Sequence, residues 1–392
     1  MACGLRYQLE MPCDAPVPDD PVDEALRQTF PASDALPWTL GGTSESESTS
    51  HMPPSPQDGI QPAKRPLGSS GVEITSVGFG AWAIGGGGWT YGWGPQDDAQ
   101  SLAAMRHALE LGINWIDTAA VYGLGHSEEL VGRLLRDLPA ADRPMVFTKG
   151  GMVWDSRDHF SEPVRSLLPS VIRSQCEASL RRLGVERIDL YQFHWPDQEG
   201  TPVEDSWGEM VRLIDEGKVW LAGVSNFDIS LLERCEAIRH VDSLQSPFSL
   251  IRRGVAAAEI PWCAAHSTGV LCYSPMQSGL LTDTFSRGRV DAFADDDWRR
   301  RSADFHEPQL RANLALRDAL RPIARRHHTT VAAVAVAWTT AWEGVTAAIV
   351  GARSPAQIDG WIRAADLQLD IGDLARIAAS IEQTGAGSGP IA

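Results

Sequence analysis

Four polar residues of this 392-residue chain stand at or just beyond the ends of apolar runs that read as β-strands. Asp117 ends Trp-Ile-Asp, Lys149 ends Val-Phe-Thr-Lys and His194 ends Leu-Tyr-Gln-Phe-His, while Tyr122 follows Asp117 in the adjoining loop. A charge or proton donor buried at such a position costs several kcal/mol unless it has a partner. Taken singly, the aspartate reads as a turn cap and the histidine as a satisfied core group. Together, at successive strand ends, the four can partner one another. The lysine is informative because the chain holds only three, Lys64, Lys149 and Lys218, among 34 basic residues. An arginine demands a planar fork of acceptors. A compact ammonium fits between a carboxylate and a phenol and can depress the phenol pKa from its free value of about 10, which suits acid–base work.

Positioning such a set requires a regular scaffold. Strand-like runs occur at Val77–Gly80, Trp115–Thr118, Val146–Lys149, Asp189–His194, Val219–Val224, Ser243–Gln245, Val270–Tyr273 and Ala347–Val350. Helical patterns separate them at Asp97–Glu110, Ser127–Arg136, Pro169–Leu183, Val203–Glu216 and Ile229–Ile238. Leu310–His327 and Val331–Trp342 precede the last strand, and Ser354–Ala364 and Ile371–Thr384 follow it. Val72–Ser76, after a Gly-Ser-Ser-Gly turn, predicts an opening hairpin. This alternation predicts an α/β fold, a (β/α)8 TIM barrel with an N-terminal β-hairpin and extra C-terminal helices, rather than an open sheet. In that fold chemistry sits at the carboxyl ends of the strands, where Asp117, Lys149 and His194 fall. The run Gly78-Phe-Gly-Ala-Trp-Ala83 fits the dinucleotide pattern G-x-G-x-x-G/A, but Gly85–Gly88 follow it in place of a helix. It therefore belongs to the first barrel strand.

Composition removes other classes. With 51 acidic residues and a net charge of −17, the chain lacks the clustered Lys and Arg that nucleic-acid binding needs. No apolar run approaches the roughly 20 residues of a membrane span, and the N-terminus lacks the apolar core of a signal peptide. Six cysteines without a C-x-x-C pair read as free thiols in a reducing cytoplasm. The adjacent His327 and His328 read as a helix end, and no metal is expected. Residues 1–64 carry ten acids against three bases and are rich in Pro and Ser. They predict a disordered extension, broken by a transient helix at Val22–Phe30, ahead of a barrel domain over residues 65–392. Oligomeric state is not legible.

From about Pro66 to Thr384 the sequence resembles the aldo-keto reductase superfamily. The resemblance is carried by Gly112-Ile-Asn-Trp-Ile-Asp-Thr-Ala-Ala-Val-Tyr-Gly123 followed by Ser127-Glu128, by Ser179-Leu-Arg-Arg-Leu-Gly184 through Asp189-Leu-Tyr191, and by Gly223-Val-Ser-Asn-Phe227. The family's tetrad falls on Asp117, Tyr122, Lys149 and His194. The resemblance implies reduction of an aldehyde or ketone by hydride from a nicotinamide cofactor. Tyr122 is then the general acid, Lys149, oriented by Asp117, lowers its pKa, and His194 donates a hydrogen bond to the carbonyl. It further implies that Ser225, Asn226 and Gln245 hold the carboxamide, that Tyr273 stacks on the nicotinamide, and that Ser274–Leu281, including Met276, Gly279 and Leu281, forms the pyrophosphate loop. Gly351 and Arg353 open a helix, with Gln357 inside it, whose N-terminus is expected to bind an anion. Arg353 would meet a 2′-phosphate, hence NADP(H). Members commonly carry Glu-Asn three and four residues after Gln357; here Gly360 and Trp361 stand there, with Trp361 either stacking on adenine or packing in the core.

Trp82, Trp89 and Trp93 after the first strand, Trp154 after the third and Trp195 after the fourth suggest an aromatic-walled pocket for a small-molecule carbonyl substrate. Thr282–Pro308 is either a lid over the cofactor or an ordinary insertion. Two other readings stay open: a cofactor-binding regulatory subunit with little turnover, and a barrel lyase or isomerase using Lys149 as a Schiff-base amine.

Overall fold

The computed structural model describes residues 60–293 and 297–391, so nearly all of the expected extension, with its Val22–Phe30 segment, lies outside the described residues. β1 (Lys64–Pro66) and β2 (Glu73–Thr75) pair as the opening antiparallel hairpin. The barrel strands are β3 (Val77–Gly80), β4 (Trp115–Asp117), β5 (Met145–Gly150), β8 (Ile188–Phe193), β9 (Val219–Ser225), β10 (Ser243–Pro247), β11 (Gly269–Tyr273) and β12 (Ala347–Gly351). They are hydrogen-bonded in that order and β12 returns to β3, closing an eight-stranded parallel barrel. A short antiparallel pair outside it, β6 (Met152–Val153) with β7 (Val164–Arg165), was not legible in the sequence.

Helices cover the barrel because each strand is apolar on both faces, as parallel strands must be. They are α1 (Asp98–Glu110), α2 (His126–Asp137), α3 (Pro169–Leu183), α4 (Val203–Asp215), α5 (Ile229–Glu236), α6 (Glu259–His266), α7 (Arg287–Asp291), α8 (Gln309–Arg326), α9 (Val331–Ala341), α10 (Pro355–Asp359) and α11 (Ile371–Thr384). Asp97 caps α1 through the Gln100 amide, and Gly184, at φ 68°, ends α3. His327 caps the end of α8. α6 was not foreseen, and the expected Ser354–Ala364 helix is two pieces, α10 and a 3-10 turn at Ile362–Ala365. Between them Trp361 is buried, so it packs in the core.

The period of two along each strand explains where polarity appears inside the barrel. Trp115, Phe147, Leu190, Leu221 and Leu271 form an apolar layer with Leu67, Val72 and Ile74 from the hairpin, which plugs the lower end. Two residues further along their strands stand Asp117, Lys149, Gln192, Gly223 and Tyr273. The interior therefore changes from apolar to polar toward the carboxyl ends.

Candidate active site

Asp117 is the last residue of β4, and Lys149 sits near the end of the neighbouring β5. Lys149 Nζ donates to Asp117 Oδ1 at 2.5 Å and to the Thr118 carbonyl at 3.0 Å. Gln245 Nε2 donates to the second oxygen, Asp117 Oδ2, at 2.9 Å. His194 directly follows β8, and its backbone N–H donates to the Gly150 carbonyl. Tyr122 is delivered by a tight turn in which Gly123, Leu124 and Gly125 all have positive φ. The turn passes so close to the loop after β3 that a Cβ on Gly123 would lie 2.2 Å from the Gly85 carbonyl, which explains the glycine. The Tyr122 ring stacks on Trp82 at 5.1 Å and meets the His194 ring edge-on at 5.6 Å. Lys149 Nζ lies 5.2 Å from the centre of the Tyr122 ring.

All four side chains are buried, from 1% exposure for Lys149 to 9% for His194. Burial pushes the Asp117 carboxyl up and the Lys149 amine down, each opposed by the attraction of the other. Burial likewise drives the Tyr122 phenol well above its ordinary 10, reinforced by the Asp117 charge. Burial therefore outweighs the lowering expected from the Lys149 charge. The ammonium gives its hydrogen bonds to Asp117 and Thr118, and loss of hydration dominates at the tyrosine. Burial, with the charges of Lys149 and Arg165, also holds His194 neutral, well below the ordinary 6.5, and its Nδ1 has no hydrogen-bond partner among the described residues. The set is thus a protonated phenol and a neutral imidazole over an Asp–Lys pair.

Asp117, Tyr122 and His194 open onto a cavity of about 770 Å³, the open space at its mouth included. Trp82, Trp195, Met276 and Ile349 give it apolar walls, and Ser225, Asn226, Gln245 and Tyr273 add polar ones. Asn226, at φ 62°, donates to the His194 carbonyl and accepts from the Tyr273 hydroxyl at 2.7 Å. Ser274, Gln277, Ser278 and Gly279 all have positive φ, curling this loop along the cavity rim. Gln277 is fixed there, accepting from Ser249 and donating to Asp304, both at 2.8 Å. Ser278 Oγ is buried without a hydrogen-bond partner among the described residues, in the cavity lining. An orphaned hydroxyl on a curled, glycine-containing loop fits an anionic ligand segment, so the residues present are compatible with a dinucleotide.

Other expected positions fall outside the lining. Of five tryptophans only Trp82 and Trp195 line the cavity. Trp93 turns behind Trp82, edge-on at 6.5 Å, with the Arg299 guanidinium over its other side, and Trp89 packs edge-on against Tyr91. Trp154 follows β6 and is not part of the cavity lining. Leu281 is fully buried beneath its loop. The helix after Gly351 has only five residues, and its Gln357 Oε1 already accepts the Arg353 N–H at 2.7 Å. The Arg353 side chain donates to Gln96 Oε1 and to the Pro95 carbonyl, tying the β12 end to the β3–α1 loop. Thr282–Pro308 packs on that loop through Arg299, which lies over both Phe293 and Trp93. Gln192, which accepts from Gln245 beside Asp117, was missed; its place two residues before His194 was the available signal. Among the described residues no cluster of potential metal ligands occurs, and no helix is long and apolar enough to cross a membrane.

Comparison with known proteins agrees with the barrel fold. The model of the aldo/keto reductase family matches residues 76–382. The chain is 33% identical to the aldo-keto reductase YhdN of Bacillus subtilis over 312 residues, covering 78% of this chain and 91% of that protein. It is 30% identical to the NADH-specific methylglyoxal reductase of Escherichia coli, covering 79% and 95%. The glycerol dehydrogenase AKR11B4 of Gluconobacter oxydans superposes with a TM-score of 0.74 at 34% identity, covering 82% of this chain and 95% of that one.

Proposed function

Because the chain belongs to the aldo/keto reductase family, we propose that it reduces aldehydes or ketones to alcohols with NADP(H), Tyr122 acting as general acid. One observation carries the proposal: the buried Tyr122 phenol, the His194 imidazole and the Asp117–Lys149 pair meet at a single cavity with an orphaned hydroxyl on its curled rim. A nicotinamide cofactor, when bound, supplies the hydride that goes to the carbonyl carbon. His194, neutral, donates an N–H to the carbonyl oxygen and polarises it. Tyr122 Oη gives its proton to that oxygen as negative charge develops there. The phenolate left behind is stabilised by the Lys149 ammonium, which Asp117 holds in place, and regains its proton from solvent. Trp82, Trp195 and Met276 exclude water and favour a substrate with an apolar substituent.

Ser225, Asn226 and Gln245 are the proposed carboxamide ligands, Tyr273 the nicotinamide platform, and Ser274, Met276 and Gly279 the pyrophosphate contacts. Arg353, held by Gln96 and Pro95 at the end of β12, is the proposed partner of the 2′-phosphate. An assay with an aromatic aldehyde and with methylglyoxal, comparing NADPH with NADH, tests the function. Stoichiometric alcohol formation with NADPH preferred is expected, and Arg353→Ala should raise KM for NADPH by about tenfold while leaving NADH little changed. Absence of turnover with any aldehyde would refute the reductase reading. Equal use of NADH would refute the cofactor preference alone.

A further inference from the structure

A second ionisable pair lies directly behind the catalytic centre and has no part in the steps above. Glu128 on α2 is fully buried, and its Oε2 accepts from Arg182 Nε at 2.6 Å. Its Oε1 accepts from the Thr148 hydroxyl at 2.6 Å, and Thr148 is the residue before Lys149 on β5. Alternation along the strand sends Lys149 into the barrel and Thr148 outward, so the Glu128 carboxylate reaches Lys149 across the thickness of one strand. Arg182, on α3, also packs against Gly125, the last residue of the turn that delivers Tyr122. A buried pair of this kind adds little stability over an apolar contact of the same volume. Its charges, in a poorly screened interior, act on whatever ionises nearby.

We propose that the Glu128–Arg182 pair is a positioning unit of the active site, with Glu128 a second carboxylate that supports the Lys149 ammonium and Arg182 its counterweight and the brace of the Tyr122 turn. The proposal rests on Lys149 and Tyr122 serving the reductase chemistry above. The Glu128 charge favours the charged form of Lys149, although burial prevails. The other ionisable groups about the centre are Asp117, Tyr122, His194, Arg165, Tyr191 and Tyr273.

The two charges have opposite signs, so removing them separately has opposite consequences. Glu128→Gln keeps the shape and the acceptor for Thr148 but leaves Arg182 unbalanced, which disfavours the ammonium. Arg182→Met leaves the carboxylate unbalanced, which favours it. The double variant restores neutrality. Because the chain has three lysines, 13Cε-lysine labelling gives three signals, with Lys64→Arg and Lys218→Arg identifying two. In the cofactor-free protein the Lys149 titration midpoint should fall by about 1 pH unit in Glu128→Gln, rise in Arg182→Met and return in the double variant. The alkaline limb of kcat/KM for aldehyde reduction should move in the same directions. Midpoints that stay put, or that move the same way in both single variants, would overturn the proposal and leave a merely structural pair. If Glu128→Gln does not fold, Arg182→Met and the double variant decide by the same criterion. The titration needs no turnover, so a failed reductase assay would not be confused with a failed pair.

Discussion

Tyr122 and His194 are driven in opposite directions by the same loss of hydration, the phenol staying protonated and the imidazole staying neutral. The kcat/KM of reduction should therefore be flat through neutral pH, with no step near 6.5, the ordinary imidazole value. The alkaline limb should come from Lys149, which burial brings below its ordinary 10.5, before the phenol ionises. A pH–rate profile checks this, and a limb at the ordinary imidazole value would mean that a charged His194 forms at the site. Trp82, stacked on the Tyr122 ring, should matter by shape: Trp82→Ala is expected to raise KM for an aromatic aldehyde by about tenfold, and Trp82→Phe by no more than about threefold. The positions of Asp117, Lys149 and His194 at strand ends were legible because strand polarity switches abruptly there. The net direction at Tyr122 was not, since it depends on how fully the surrounding loops bury the phenol. Nor was the packing of Trp89, Trp93 and Trp154 outside the cavity lining, because a loop tryptophan has no periodicity to say what it faces.

Among elements, the eight barrel strands were legible since each is a short apolar run between turn signals, and α3 and α11 because Pro169 opens the one and Asp370 caps the other. What escaped were α6, eight residues with a Pro within its first turn, the five-residue α7, and the two-residue strands β6 and β7, too short to show alternation. Contact between α2 and α3 depends on Gly132, where an added Cβ would lie 2.3 Å from the Arg182 carbonyl. Backbone cannot yield as a side-chain tip can. Gly132→Ala should therefore cost about 1–3 kcal/mol in a denaturant titration, and it should loosen the Tyr122 turn through Arg182.

At the scale of the molecule, the hairpin is part of the barrel and not an appendage. Leu67 and Ile74 fill its lower end, while Arg65 donates to the Thr340 and Val345 carbonyls. A chain beginning at Ile60 should keep the kcat/KM and melting temperature of the whole, whereas one beginning at Val77 should lose its cooperative melt; circular dichroism and the aldehyde assay check both. The central claim is that the buried phenol of Tyr122 supplies the proton to a reduced carbonyl. Turnover of an aromatic aldehyde by Tyr122→Phe, measured beside NADPH binding by tryptophan quenching, tests it most directly. Loss of kcat by about 10²–10⁴-fold with nearly unchanged cofactor affinity is the predicted result. Near-normal turnover in that variant would contradict it.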